Sequence, residues 1–499
     1  MRQGRWASGL MRRRAVALAV VVGCAGAVLA GVALAAPGDL DPGFDGDGRK
    51  TLDFGGEDFA GDVLVQPDGK IVIAGAGFPT TDLVVVRLNP DGSLDPGFDG
   101  DGIFSDGVNF GGDDYAYAVA RQADGKLVVS GYKSSATDRV VVLRLNVDGS
   151  LDASFDGDGI KTLNLGGTGG AEDVLVQPDG KIVLVSTNTD FVVVRLNPDG
   201  SLDSSFDGDG IAFVNFGGDD IAYGVALYPG GKLVVVGTST YAGMAVARLN
   251  ADGSLDPTFD GDGMRAFDFT GSTDNGWDVL VQPNGFIVLA GEAYNDVAIV
   301  RLRPDGVLDA TFDNDGIFGV NMGGQRGFAV AQQTDGKLVV GGSSGGDGLL
   351  LRLNADGSPD TSFGGDGKKT IDFGTPGDVV LGLALQADGR IVAAGSSASN
   401  IEVVRVEAEA SPPPAPTPTI TDTVPPGATP TDTPISFGCG GDCNGDGTVA
   451  ISELIAAVNV ALGSAAYGTC ANADADRSGE VAINDLITAV NAALGGCVS

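Results

Sequence analysis

One phrase, repeated seven times, constrains this chain more than any other feature. The run Leu40-Asp41-Pro42-Gly43-Phe44-Asp45-Gly46-Asp47-Gly48 ends in Phe-Asp-Gly-Asp-Gly, and that core or a near copy returns at Phe98, Phe155, Phe206, Phe259, Phe312 and Phe363. Successive copies stand 51 to 57 residues apart. A fixed period of this size points to a propeller or a solenoid, in which each unit buries its apolar face against its neighbours.

Between two copies the pattern reads as strands and turns. Asp62–Gln66 predicts a strand, Pro67-Asp68-Gly69 a turn, and Lys70–Gly75 a second strand. A variable loop follows to Asp82, then a third strand over Leu83–Asn89 and a turn at Pro90-Asp91-Gly92. Ser93–Ile103 carries the phrase into a fourth extended piece. β-branched runs between Asp-Gly turns are the hairpin signal, and four strands per unit match a propeller blade. The expected fold is therefore mainly β, a seven-bladed propeller of four-stranded blades over 38–408. Counting suggests how it closes. The first phrase precedes the first hairpin, and the last third strand, Ile401–Val406, has no phrase after it. A ring resolves both if the N-terminal piece, 40–54, pairs with 401–407 as the outer strand of the last blade. An open superhelix would leave that edge bare.

The units resemble the delta-60 repeat of bacterial surface and secreted proteins, in phrases such as Val194-Arg195-Leu196-Asn197-Pro198-Asp199-Gly200-Ser201-Leu202-Asp203. The resemblance covers nearly all of 40–408. It implies a propeller-like extracellular module and supplies no activity.

Composition narrows the chemistry. Asp and Glu number 66 against 30 Lys and Arg, so a phosphate backbone would be repelled and nucleic acid is excluded as a partner. His is absent, which removes the commonest general base and transition-metal ligand. There is no Gly-x-Ser-x-Gly elbow and no phosphate loop, so the chain reads as a binding protein and not as an enzyme. The phrase itself invites a calcium reading, but it lacks the closing carboxylate of a calcium loop, and Asp and Gly are what tight turns require. The arginine that recurs on every third strand (Arg87, Arg144, Arg195, Arg248, Arg301, Arg352, Arg405) is expected to pair with an Asp of the phrase.

A ligand site should lie where the repeat breaks. Asp62, Asp173 and Asp278 open the inner strands of units one, three and five, where the other units carry Ala118, Gly224, Ala329 and Gly382. They would hold a cation or polar ligand if they faced the channel, or stand as solvated acids at a strand end. The loops between second and third strands carry Phe78, Tyr132 with Lys133, Tyr241, and Tyr294 with Asn295. Such groups could stack on and hydrogen-bond a glycan, or pack the loops.

The flanks have their own signatures. Residues 1–35 read as a signal peptide: Arg12-Arg13-Arg14, an apolar run, then Ala33-Leu34-Ala35 as the cleavage site, with Met11 an alternative start. An uncleaved anchor, or a lipoprotein through Cys24, are the other readings. After signal cleavage no stable membrane span is expected, and each reading places the protein at the cell surface or outside the cell. Residues 409–436 form a Pro/Thr-rich linker that cannot make a core.

In 437–499, Asp442-Cys443-Asn444-Gly445-Asp446-Gly447, followed five residues on by Glu453, fits the calcium-loop pattern throughout. Asp442, Asn444 and Asp446 offer side-chain oxygens, Thr448 a backbone carbonyl, and Glu453 closes the shell. A weaker second loop offers Asp474, Asp476, Ser478, Glu480 and Asp485. Each loop runs into an apolar helical repeat, so the expectation is a small α-helical domain with two calcium ions. These paired halves resemble a type I dockerin. That resemblance implies docking to a cohesin-like or cell-surface scaffold, although the spacer between loops is long and the module carries four cysteines. Cys439, Cys443, Cys470 and Cys497 allow three pairings, of which the flanking positions favour Cys439–Cys497 with Cys443–Cys470. The alternative function is a secreted carbohydrate-active enzyme delivered by the dockerin.

Overall fold

The β-branched runs of each unit form four antiparallel strands, and seven such sheets succeed one another along the described chain. The computed structural model describes residues 35–409, apart from short segments at 78–81, 106–109, 135–138, 168, 270–273, 295, 320–323 and 398. The leader, most of the linker, the calcium loops and cysteines of the tail, and loop residues Phe78 and Asn295 lie outside the described residues. No helix among the described residues is long and apolar enough to cross a membrane.

Blade 1 shows the plan. Its inner strand is Phe59–Val65, followed by Ile71–Gly77, Asp82–Leu88 and the short outer strand Ile103–Phe104. Second and third strands are buried along almost their whole length, because neighbouring blades cover both faces. Such strands read as unbroken apolar runs, whereas the inner strands are only partly buried and alternate up to an interruption within each.

The ring closes as the count of strands requires. Blade 7 takes Val379–Leu385, Ile391–Ser397 and Asn400–Val406 from the end of the propeller, and Arg49–Leu52 from its start. Arg49 pairs with Val404 and Leu52 with Ile401. The bridge Leu40 to Val406 repeats in blade 7 what Leu88 to Leu94 does within blade 1.

The phrase is the joint between blades. Phe98 is fully buried, and its turn is held by Phe98 N–H donating to Asp95 O and Gly102 N–H to Phe98 O. Asp99 adopts a left-handed φ of 49° and donates its N–H to Asp148 O in the next blade. Gly149 there has φ 91°, and a Cβ on it would stand 2.7 Å from Asp99 N, so this crossing requires glycine.

Each conserved-in-position arginine of the repeat does three things. It pairs with the phrase aspartate of its own blade, from Arg87–Asp95 to Arg405–Asp41, at 2.6–2.8 Å in all seven. It lies over the phrase phenylalanine at 4.6–5.1 Å. It also donates to a backbone carbonyl of the following blade, as Arg195 does to Ala251 O and Arg405 to Pro90 O. Burial acts to raise the carboxyls of Asp152, Asp203 and Asp256, but their hydrogen bonds and the cations beside them outweigh it and hold them well below the usual carboxylate range. The phrase is thus part of a clamp.

Candidate functional site at the channel mouth

The inner strands shape the site. In every blade the pairing of inner and second strand slips by one residue at the same place, for instance between Ala222 and Gly224. The extra residue of this β-bulge is Gly61, Tyr117, Glu172, Tyr223, Trp277, Phe328 or Leu381. A bulge sets two successive residues against one partner and breaks the in-out alternation. Both therefore reach the channel: Glu172 with Asp173, and Trp277 with Asp278, line one cavity of about 360 Å³. The bulge also brings the inner strand close to its neighbour. A Cβ on Gly131 would stand 1.9 Å from Tyr115 O, and five other blades have glycine at this place. Blade 3 has Ser186 instead, whose hydroxyl donates to Gly170 O at 2.6 Å.

Five aromatic rings form a collar around the cavity: Phe59, Tyr117, Tyr223, Trp277 and Phe328. Tyr223 and Trp277 lie 4.3 Å apart between centroids, and Trp277 meets Phe328 edge-on at 5.4 Å. Phe59 packs edge-on against Tyr117 at 6.2 Å. Trp277 Nε1 is buried without an acceptor among the described residues.

The three aspartates do a definite job. Asp62 accepts from Val63 N–H in its own blade and from Val119 N–H in the next, at 2.7 and 3.0 Å. Asp173 does the same for Val174 and Val225, and Asp278 for Val279 and Val330. Each carboxylate thus ties the backbone amides beside two bulges, so three serve six blades. Seven is odd, and blade 7 carries Gly382 at this position, where a Cβ would stand 2.8 Å from Val63 N. This explains the alternation seen in the sequence: these acids face the channel, and they are neither solvated strand ends nor free ligands.

Burial dominates their protonation. It pushes Asp62 up to about 6 and Asp278 up to about 7 against the lowering effect of their amide bonds. Asp173 is raised well above the ordinary range by burial, and further by the proximity of Asp278 and Asp62. Glu172 is pushed up to about 7 by burial. It differs from the aspartates in having no hydrogen-bond or ion-pair partner among the described residues. Burial, with Glu172 next, raises the Tyr117 hydroxyl well above its usual value and takes Tyr223 to about 12.

Those of the aromatic loop residues singled out in the sequence that are described, Tyr132, Tyr241 and Tyr294, open at this same end, because each second strand runs back toward the start of the inner strand. Tyr241 is 81% exposed and Tyr294 is 52% exposed. Tyr132 leans on Tyr115 at 6.3 Å and its hydroxyl accepts from Arg139. Tyr115 in turn stacks on Tyr117 at 6.0 Å, so this loop is continuous with the collar. None of the three lines the cavity itself.

One acidic cluster lies elsewhere, with carboxylate oxygens of Asp347, Asp372 and Asp378 within 4.8 Å of one another. Asp378 there accepts from Phe373 N–H, and Asp58, Asp114, Asp220 and Asp274 make the corresponding bond in four other blades. Its carboxylate belongs to the architecture.

The sequence profile of the family described as "Domain of unknown function (DUF5122) beta-propeller" matches residues 66–98, 122–155, 177–206, 229–259, 282–312 and 333–363. Every matched segment begins at the first turn and ends at the phrase phenylalanine, so the collar and the channel acids all fall outside them. Among solved structures, a catalytically inactive virginiamycin B lyase from Staphylococcus aureus with quinupristin is similar at 13% identity, over 72% of this chain and 99% of that one, with a TM-score of 0.49. The WD40 β-propeller domain of Doa1 is similar at 12% identity, over 71% and 95%, with a TM-score of 0.45. No curated protein matches the sequence.

Proposed function

We propose that this chain is an exported cell-surface or extracellular binding protein, whose propeller carries a ligand site at the channel mouth and whose tail anchors it through two calcium loops. One observation carries the reading: departures from the repeat gather at one end of the ring. The other end is occupied by seven near-identical clamps. The collar end has a different side chain in almost every blade, lining a cavity at the lower end of the small-molecule range. The leader, the Pro/Thr linker and the dockerin-like pattern support export and anchoring from sequence. The tail's cysteines fit an oxidising compartment.

The second reading is a carbohydrate-active enzyme, favoured by Glu172: a carboxyl titrating near neutrality beside aromatic rings could protonate a glycosidic oxygen. A screen of the whole secreted chain against glycan arrays and cohesins separates the two. Capture without product, weakened by Trp277→Ala, supports the binding protein. Release of sugar abolished by Glu172→Gln supports the enzyme, and no capture and no turnover would leave a purely structural ring.

A further inference from the structure

The channel mouth has an unusual balance of charge. Its lining holds five aromatic rings and four carboxyl groups, with no lysine or arginine among them. Three of the carboxyls are already occupied by backbone amides. The fourth, Glu172, stands at the bulge position between Tyr117 and Tyr223 and has no partner among the described residues. A carboxylate there is half-buried beside aromatic rings with no cation at hand, and a cation entering the cavity would offset that partial desolvation. Aromatic faces are negative at their centres and attract cations, more strongly where water is excluded.

A hard metal ion fits this environment poorly. It needs six or more oxygens, and here the aspartate oxygens accept amide hydrogens while the remaining wall is aromatic carbon. An organic cation uses both parts of the wall at once.

We propose that the channel mouth binds an organic ammonium ion, with Glu172 as its counter-ion and the rings of Tyr223 and Trp277 as its walls. This rests on the reading of the collar end as a ligand site and names the ligand class. A bound cation should favour the ionised form of Glu172. Affinity should therefore fall as pH drops below about 7, where burial already returns the proton to it. The titratable groups facing Glu172 from the neighbouring strands are Tyr117 of blade 2 and Tyr223 of blade 4, with Asp62, Asp173 and Asp278 around the same channel.

Trp277 is a built-in reporter, since Trp6 in the leader is the chain's other tryptophan. The experiment titrates the whole chain, carrying Trp6→Phe, with choline and with its uncharged carbon isostere 3,3-dimethylbutan-1-ol, and follows fluorescence at pH 8 and pH 5.5. Choline should give a saturable change at pH 8, with the isostere at least tenfold weaker. Glu172→Gln should weaken choline at least tenfold, leave the isostere unaffected and shrink the difference between the two pH values to the part that Asp62 and Asp278 contribute. Tyr223→Leu should weaken choline in a chain whose melting temperature shows it folded. Equal binding of isostere and choline, or an unchanged affinity in folded Glu172→Gln, overturns the proposal. If neutral saccharides move Trp277 fluorescence and choline does not, the ammonium assignment falls and the binding reading stands. If the glycan and cohesin screen is blank as well, both fall.

Discussion

Replacing Arg248 by alanine tests the clamp in a blade where all its contacts are present. The guanidinium makes a 2.6 Å contact to Asp256, donates to Thr258 Oγ1 at 2.9 Å, and reaches Pro304 O in the next blade at 2.5 Å. It also covers Phe259 at 5.0 Å and Tyr228 at 4.7 Å. Removing it leaves Asp256, which is 1% exposed, with Lys232 at 2.6 Å as its remaining cation. Breaking a buried pair from one side costs about 3–5 kcal/mol. A propeller of this size unfolds with roughly 0.8 kcal/mol per degree of entropy, so the melting temperature should fall by about 4–6 °C. The double variant Arg248→Ala/Asp256→Asn should lose less than the sum of the single changes, because no buried carboxylate is left without its arginine and Lys232, the charge that remains, is part-exposed. The assay is calorimetric or circular-dichroism melting of the four proteins. A shift under about 1 °C for Arg248→Ala, or strict additivity in the double variant, would show the arginine to be a solvated ornament.

Three further outcomes can be measured, two from the propeller's geometry and one from the tail's sequence pattern. Asp62 and Asp278 titrate at about 6 and 7 in the folded chain, above the unfolded value near 4, so the folded state holds more protons and stability falls as pH rises between about 4 and 7. The clamp acids Asp152, Asp203 and Asp256 are held low, so their contribution is lost only as pH falls below about 4; a melting profile still climbing from pH 5 to 8 would contradict this pairing of limbs. Gly131→Ala drives a methyl into Tyr115 O and should cost about 4 kcal/mol or more, against about 1 kcal/mol for Ser186→Ala in the blade that lacks the glycine; similar losses for both would refute the role given to the bulge. Chelation of the whole chain should lower helical signal and be reversed by calcium through Asp442, Asn444, Asp446 and Glu453, and indifference to chelator would remove the metal from the tail.

The ring was legible because its signals are redundant. Arg195 and Asp203 could be paired on paper, since one charge per apolar strand needs a partner and the phrase offers one at a fixed distance. The closure followed from counting phrases against third strands. The collar escaped for a physical reason. Strand alternation assigns Tyr223 and Gly224 to opposite faces, and Trp277 and Asp278 likewise, so a pattern that points one of the two at the channel passes over its neighbour. The bulge turns both toward the channel. A signal for it was present in the glycines at the centres of the second strands, Gly75, Gly131 and Gly237, since an isolated glycine within a strand marks a close backbone approach. The aspartates stand out by their spacing, but a carboxylate spanning two blades to reach Val119 or Val225 is a long-range contact that no local pattern encodes.

Closure through the first phrase also decides how the ring can be held. Gly38 N–H donates to Glu407 O and Glu407 N–H to Asp39 O, so chain entering and chain leaving run side by side in blade 7, at the clamp end. Arg352 and Lys337 of blade 6 fasten the same corner through Ala408 O and Glu409. A tether at either terminus therefore pulls on one reinforced corner, and the load passes into the ion pairs before it reaches any inner strand. The collar opens at the opposite end, where a support holding the ring by that corner leaves the approach clear.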